Sequence, residues 1–121
     1  MRLLVVDDEK EVAEFLAEEF RKHGFVVDVA LSGEAALEQI RLNRPHVMLL
    51  DIRMPAMDGI ETLRRAKKID PILGVVMVTA VKDEETIQRA TALGACGYIT
   101  KPFDVENLNQ AVMAKIAAMT A

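Results

Sequence analysis

The stretch VMLLDIRMPAMDG, Val47 to Gly59, passes from apolar residues suited to a buried strand directly into an aspartate, then into Arg-Met-Pro and a glycine turn. A carboxylate at the end of a core strand is costly unless an opposite charge or a metal ion meets it. The stretch therefore sets two expectations. One is an interior strand over His46 to Leu50, and the other is a partner for Asp51. The remainder of the chain has to supply a sheet around that strand and the group that pairs with the carboxylate.

Working outward, the same short apolar run recurs. RLLVV (Arg2 to Val6) is a strand ended by Asp7-Asp8, FVVDVA (Phe25 to Ala30) is a second, GVVMVTA (Gly74 to Ala80) a fourth, and GYIT (Gly97 to Thr100) a short fifth. Helical spacing fills the gaps. Val12, Phe15, Leu16 and Phe20 form one apolar stripe, with Asp8 and Glu11 resembling a capping box and Gly24 a stop. Ser32-Gly33 opens a second helix that must end before Pro45, and Asp58-Gly59 opens a third through Ile60, Leu63 and Ala66. KDEETIQRATALG forms a fourth helix closing at Gly94, and Asp104 opens a fifth through Val105, Leu108, Val112 and Ile116. Five βα units with strands apolar on both faces predict an α/β fold. Its parallel sheet is covered by helices on both sides and its crossovers are right-handed. At 121 residues the chain suits one domain, 1–121, with no second unit after the fifth helix.

Composition narrows the function classes. Aromatic residues make up only 4%, so the core has to be aliphatic, and the net charge of −4 argues against direct nucleic-acid binding. A lone cysteine, Cys96, rules out an internal disulfide and fits a reducing compartment. No apolar run approaches the roughly 20 residues of a membrane helix, and the N-terminus lacks signal-peptide character. A cytoplasmic protein without membrane contact is expected. The RRAKK run, Arg64 to Lys68, reads as the solvated face of the third helix. His23 suits a helix C-terminus, and neither His23 nor His46 has a zinc-ligand pattern around it.

The polar residues concentrate where the strands end. Asp7 and Asp8 follow the first strand, Asp51 the third, Thr79 ends the fourth, and Lys101 follows the fifth. Open parallel α/β sheets place their sites outside the carboxyl ends of the strands. Three carboxylates gathered there repel one another, and a lysine and a hard divalent cation relieve that repulsion. Mg2+ takes oxygen ligands, typically one or two carboxylates plus phosphate oxygens. A carboxylate beside it can act as nucleophile and form an aspartyl-phosphate, with Lys101 and the Thr79 hydroxyl holding phosphoryl oxygens.

VVDDE, LLDIRMPAMDG, VTA and YITKPF together, in this order and each at the end of its strand, resemble the receiver domain of two-component response regulators over essentially the whole chain. The resemblance implies a flavodoxin-like (βα)5 doubly wound sheet in the order 2-1-3-4-5. It implies phosphorylation of Asp51 by a sensor histidine kinase or phosphotransfer protein, with Mg2+ on Asp8, Asp51 and the backbone carbonyl of Arg53, and Asp7 acting through a metal-bound water. Such a domain is not an enzyme in its own right, yet assists its own phosphorylation and dephosphorylation. Thr79 and Lys101 would contact the phosphoryl group, the small Ala80 would leave it access, and Thr79 and Tyr98 would form a switch. The Lys101–Pro102 bond would be cis, and Arg53 and Val81 would tune phosphoryl lifetime. The output would be a changed surface of the fourth helix, fifth strand and fifth helix, read by a downstream effector or output domain, with dimerisation on phosphorylation left open.

Two other classes compete. A phosphatase of the haloacid dehalogenase type forms the same intermediate but carries a second aspartate two residues after the nucleophile, where this chain has Arg53. A phosphorylation-independent interaction module of the same fold usually lacks part of the acidic cluster, which here is complete. Nucleotide or flavin binding is disfavoured by the absence of a Gly-rich phosphate loop.

Overall fold

The computed structural model describes residues 1–120. Ten elements alternate: β1 (Arg2–Val6), α1 (Lys10–Lys22), β2 (Val26–Ala30), α2 (Gly33–Asn43), β3 (Val47–Leu50), α3 (Gly59–Ile69), β4 (Gly74–Thr79), α4 (Glu84–Ala92), β5 (Gly97–Thr100) and α5 (Val105–Thr120). All strand pairings are parallel, in the order β2-β1-β3-β4-β5. The expected fold and strand order are both present.

The alternation of side chains along each strand divides the core into two layers. Leu4, Val6, Met48, Leu50, Val75 and Met77 face α2, α3 and α4. Leu3, Val5, Val47, Leu49, Val76 and Val78 face α1 and α5. Because both faces are covered, β3 is apolar throughout, as are β1 after Arg2 and β4 up to Thr79, which is why they read as hydrophobic runs. The β1–β3 register is fixed further by His46, whose backbone N–H donates to the Arg2 carbonyl at 2.9 Å and whose Nδ1 accepts from the Arg2 N–H at 3.0 Å.

Helix starts follow the expected chemistry at three places. Ser32, Asp58 and Asp83 each accept a hydrogen bond from the backbone N–H three residues on, capping α2, α3 and α4. The first helix differs. Its N-cap is Glu9, which makes no side-chain cap bond, so Asp8 and Glu11 do not form the capping box that the sequence suggested. Instead Asp7 turns its Oδ1 back to accept from the Glu9 N–H at 2.9 Å, leaving the exposed Asp8 carboxylate out of the helix start. Gly24 and Gly94 take positive φ at the turns after α1 and α4, as helix stops require.

The basic run on α3 is also more engaged than a solvated face. Arg64 and Arg65 both clasp Glu61, whose carboxyl they hold down at about 2. Lys67 Nζ donates to the Pro71 and Leu73 carbonyls at 2.7 and 2.9 Å, tying the end of α3 to the loop that enters β4. Cys96 is the small residue expected beside a strand, its thiol donating to the Val75 carbonyl.

Candidate functional site

The strand ends place the site. Beyond β1 the ladder continues for one bond, Asp7 N–H to the Ala30 carbonyl; beyond β3 it continues from Asp51 N–H to Val6; beyond β5 it continues from Lys101 N–H to Thr79. Each of these candidate residues is thus the first to leave the sheet while its backbone is still held by it. Asp7 and Asp51 are buried, at 2% and 5% exposure, whereas Asp8 lies in solvent.

Lys101 answers the problem posed by Asp51. Its Nζ lies 2.7 Å from Asp7 Oδ2 and 3.1 Å from Asp51 Oδ2. Burial alone would lower the lysine pKa, but the hydrogen bonds that Lys101 donates to Asp7 and Asp51, with the charges of those two carboxylates, outweigh it, so the Lys101 pKa is raised and it stays an ammonium. One cation between two carboxylates still leaves the cluster short of positive charge. Asp7, Asp8 and Asp51 each offer an oxygen within 4.8 Å of the others, an all-oxygen set able to hold a metal ion. The atoms are not equally free. Both Asp7 oxygens are engaged, by Lys101 and the Glu9 N–H, while Asp51 Oδ1 accepts only a long 3.4 Å bond from the Arg53 N–H.

The loop from Asp51 to Asp58 is clamped from behind. The Ile52 carbonyl accepts from both Met54 and Gly59 N–H groups, and Met54 and Met57 are buried plugs in the core. Gly59 begins α3 directly against the Asp51 backbone: a Cβ there would lie 2.1 Å from the Asp51 carbonyl oxygen and 2.6 Å from Ile52 Cα. The Asp58-Gly59 turn was legible in the sequence, but its role in seating Asp51 depends on a close approach that no local pattern encodes.

Thr79 is fully buried, and its Oγ1 accepts from the Val81 N–H at 3.3 Å. Tyr98 packs against the core and donates its hydroxyl to the Val81 carbonyl. Burial, with smaller contributions from Asp83 and Asp51, raises the Tyr98 pKa. Thr79 and Tyr98 are thus joined through the two polar groups of a single residue. Ala80 is exposed, and Lys101–Pro102 is cis. Arg53 is exposed; its cation adds to the Thr86 hydrogen bonds that lower the Asp83 pKa at the start of α4.

The sequence profile for the response regulator receiver domain matches residues 3–113. The chain belongs to this family. It is 39% identical over 111 residues to sporulation initiation phosphotransferase F of Bacillus subtilis, covering 92% of this chain and 90% of that protein. It is 41% identical to the transcriptional regulatory protein ZraR of Escherichia coli K12 over 98% of this chain, but spans only 26% of that longer protein. Among solved structures it resembles the CheX–CheY–BeF3–Mg2+ complex from Borrelia burgdorferi, with a TM-score of 0.90 and 32% identity over 94% of this chain and 87% of that one. The protein is therefore a receiver domain of two-component response regulators, a regulatory phospho-acceptor class with its acidic pocket at Asp7, Asp8 and Asp51. No helix among the described residues is long and apolar enough to cross a membrane.

Proposed function

We propose that this receiver takes a phosphoryl group onto Asp51 from the phosphohistidine of a sensor kinase or phosphotransfer protein, as one domain spanning 1–121 in the cytoplasm. The observation that carries the reading is the Asp51 carboxylate held by Lys101 at 3.1 Å through Oδ2 while Oδ1 keeps only a long bond. In the transfer a carboxylate oxygen of Asp51 bonds to phosphorus as the phosphorus–nitrogen bond of the donor breaks, and the departing imidazole keeps the bonding pair. Water later attacks the same phosphorus, releasing phosphate and restoring the carboxylate. Lys101 stays charged to contact a phosphoryl oxygen, and the Thr79 hydroxyl turns from Val81 toward another. The exposed, small Ala80 leaves the donor room. The domain thereby assists both steps without turning over a separate substrate.

Mg2+ fits the donor set, with Asp8, Asp51 and the Arg53 carbonyl as ligands and the fully engaged Asp7 acting through water. It supplies charge neutralisation on the phosphoryl oxygens. The BeF3 and Mg2+ of the Borrelia CheX–CheY complex support the same ion here. The output is a shift of Thr79 and Tyr98 that alters the surface of α4, β5 and α5, read by a downstream effector or an output domain. Intact mass after incubation with a small-molecule phosphodonor and Mg2+ tests this. One phosphoryl group is expected on the wild type, none on Asp51→Asn, and none in chelator. Equal incorporation in Asp51→Asn would refute the assignment of the acceptor.

A further inference from the structure

α3 and α4 cover the same face of the sheet and leave a groove of about 310 Å3 between them, lined by Ile60, Glu61, Arg64, Arg89, Ala92 and Leu93. Its floor is apolar, because Ile60 and Leu93 pack on the core beneath it. Two arginines supply its charge. Arg64 donates from Nε and Nη2 to the Glu61 carboxylate, the first at 3.0 Å, and its Nη1 has no partner. Glu61 also accepts from Arg65 Nε at 2.6 Å, so two guanidiniums share one carboxylate. Arg89 is exposed and its side chain has no partner among the described residues, not even Glu85 about one turn before it. Lys68, about one turn beyond Arg64, is equally unpaired.

Cations therefore exceed carboxylates around this groove, in a chain whose net charge is −4. That local reversal defines what the groove suits. An unpaired guanidinium takes a carboxylate through two parallel hydrogen bonds. Arg64, already fixed by Glu61, loses little freedom in donating from Nη1 to another. Asp83, Glu84 and Glu85 at the start of α4 lie about one to two turns before Arg89, so a long polyanion laid along the helix is repelled where a short acidic segment is not. The apolar floor in turn asks for a hydrophobic side chain beside the charge, which an inorganic anion lacks. We propose that the α3–α4 groove docks a short acidic segment of a partner protein, with an apolar side chain over Ile60 and Leu93 and a neighbouring carboxylate on Arg89 and Arg64. No residue of β5, α5 or the acidic pocket lines the groove, so this docking rests on neither phosphorylation nor metal.

The test is selection of a displayed random peptide library on the unmodified protein in chelator, followed by titration of the selected peptides made synthetically. These are expected to join Asp or Glu to Leu, Ile or Phe, to shift the amide signals of residues 60–64 and 89–93, and to bind more weakly as salt rises. Arg89→Gln should weaken them about tenfold or more, as loss of a charge-assisted bond implies. Arg65→Gln removes the same charge on the other side of Glu61, in a depression shared with Glu34 and Asp58, and should change affinity little. Circular dichroism confirms that both variants are folded. No enrichment, selected peptides without acidic residues, or amide shifts outside the two helices would overturn the proposal. Equal losses in the two variants, or equal competition by a single-stranded oligonucleotide, would overturn it too, by reducing the groove to a general anionic attraction.

Discussion

Asp8 offers the sharpest test of the acidic site, because two roles for it predict opposite outcomes. If Asp8 capped α1, its loss would destabilise the chain in every buffer. The structure gives it no cap bond and sets one of its oxygens within 4.8 Å of oxygens of Asp7 and Asp51. At the dielectric constant of water, each such pair repels by about 0.9 kcal/mol. Attraction to Lys101 and to the N-terminus of α1 offsets part of this, the latter by about 0.3–1 kcal/mol. In chelator, Asp8→Asn is therefore expected to be more stable than the wild type by about 0.5–1 kcal/mol, a rise in Tm of about 2–4 °C. Because asparagine caps as well as aspartate, Asp8→Ala is the control, and it should match Asp8→Asn rather than fall about 1 kcal/mol below it. In Mg2+ the order should invert. With Asp8 as a proposed ligand, the wild type is expected to gain about 2.7 kcal/mol at a hundredfold excess of ion over its dissociation constant, and a variant without that carboxylate far less. Urea and thermal unfolding of the three proteins in chelator and in Mg2+ measure all of this. A variant less stable than wild type in chelator, or an unchanged order in Mg2+, would refute the reasoning.

Lys101→Met should lose about 3–5 kcal/mol in urea titrations without metal, since it strands two buried carboxylates. A variant within 1 kcal/mol of wild type would show that solvent, not Lys101, screens them. Tyr98, the sole tyrosine, should titrate above its ordinary value of 10.0 by absorbance. The folded state then holds this proton more tightly than the unfolded chain, so its contribution to stability is complete below pH 10 and is lost as pH rises toward the raised value. A midpoint at or below 10.0 would contradict the burial and the bond to Val81. Gly59→Ala should cost about 1–3 kcal/mol and also weaken Mg2+ binding in calorimetry, because the new methyl collides with the Asp51 backbone. Gly33→Ala, whose Cβ would meet the Thr62 hydroxyl at 2.4 Å, should lose stability with Mg2+ affinity kept, and equal losses of affinity in both would remove the special role of Gly59.

The architecture was legible because its determinants are local. Strands covered on both faces leave continuous apolar runs, and Ser32, Asp58 and Gly24 mark helix ends by their own chemistry. The gathering of Asp7, Asp51 and Lys101 was legible one step later, since a parallel sheet delivers every strand end to one edge. What escaped the sequence was decided by contacts to backbone groups that no spacing of side chains marks. Asp8 and Glu11 have the spacing of a capping box, but the helix is capped one residue later at Glu9, whose N–H donates to Asp7 Oδ1. Lys67 looks like any exposed lysine until the α3–β4 loop folds its carbonyls over it. His46 has no ligand pattern because its partner is a backbone N–H 44 residues away.

The geometry around Val81 gives the proposed switch a route from Thr79 to Tyr98. Val81 donates its N–H to the Thr79 hydroxyl and accepts at its carbonyl from the Tyr98 hydroxyl, so its two polar groups link the end of β4 to the aromatic on β5. A neutral bond of the Thr79–Val81 kind is worth about 0.5–1.5 kcal/mol net, and a hydrogen bond to a charged phosphoryl oxygen about 1.5–3 kcal/mol. In the proposed switch Thr79 exchanges the first for the second, a bias of about 1–2 kcal/mol. That bias multiplies the ratio of the two states by about 5–30. It is enough to redistribute two arrangements of comparable energy and far too little to drive one that costs several kilocalories. The proposed switch therefore requires that the unphosphorylated domain already visit both arrangements of Thr79. This fits a segment anchored by the 3.3 Å bond at Val81 and an N-cap at Asp83, with Ala80 and Lys82 between them exposed.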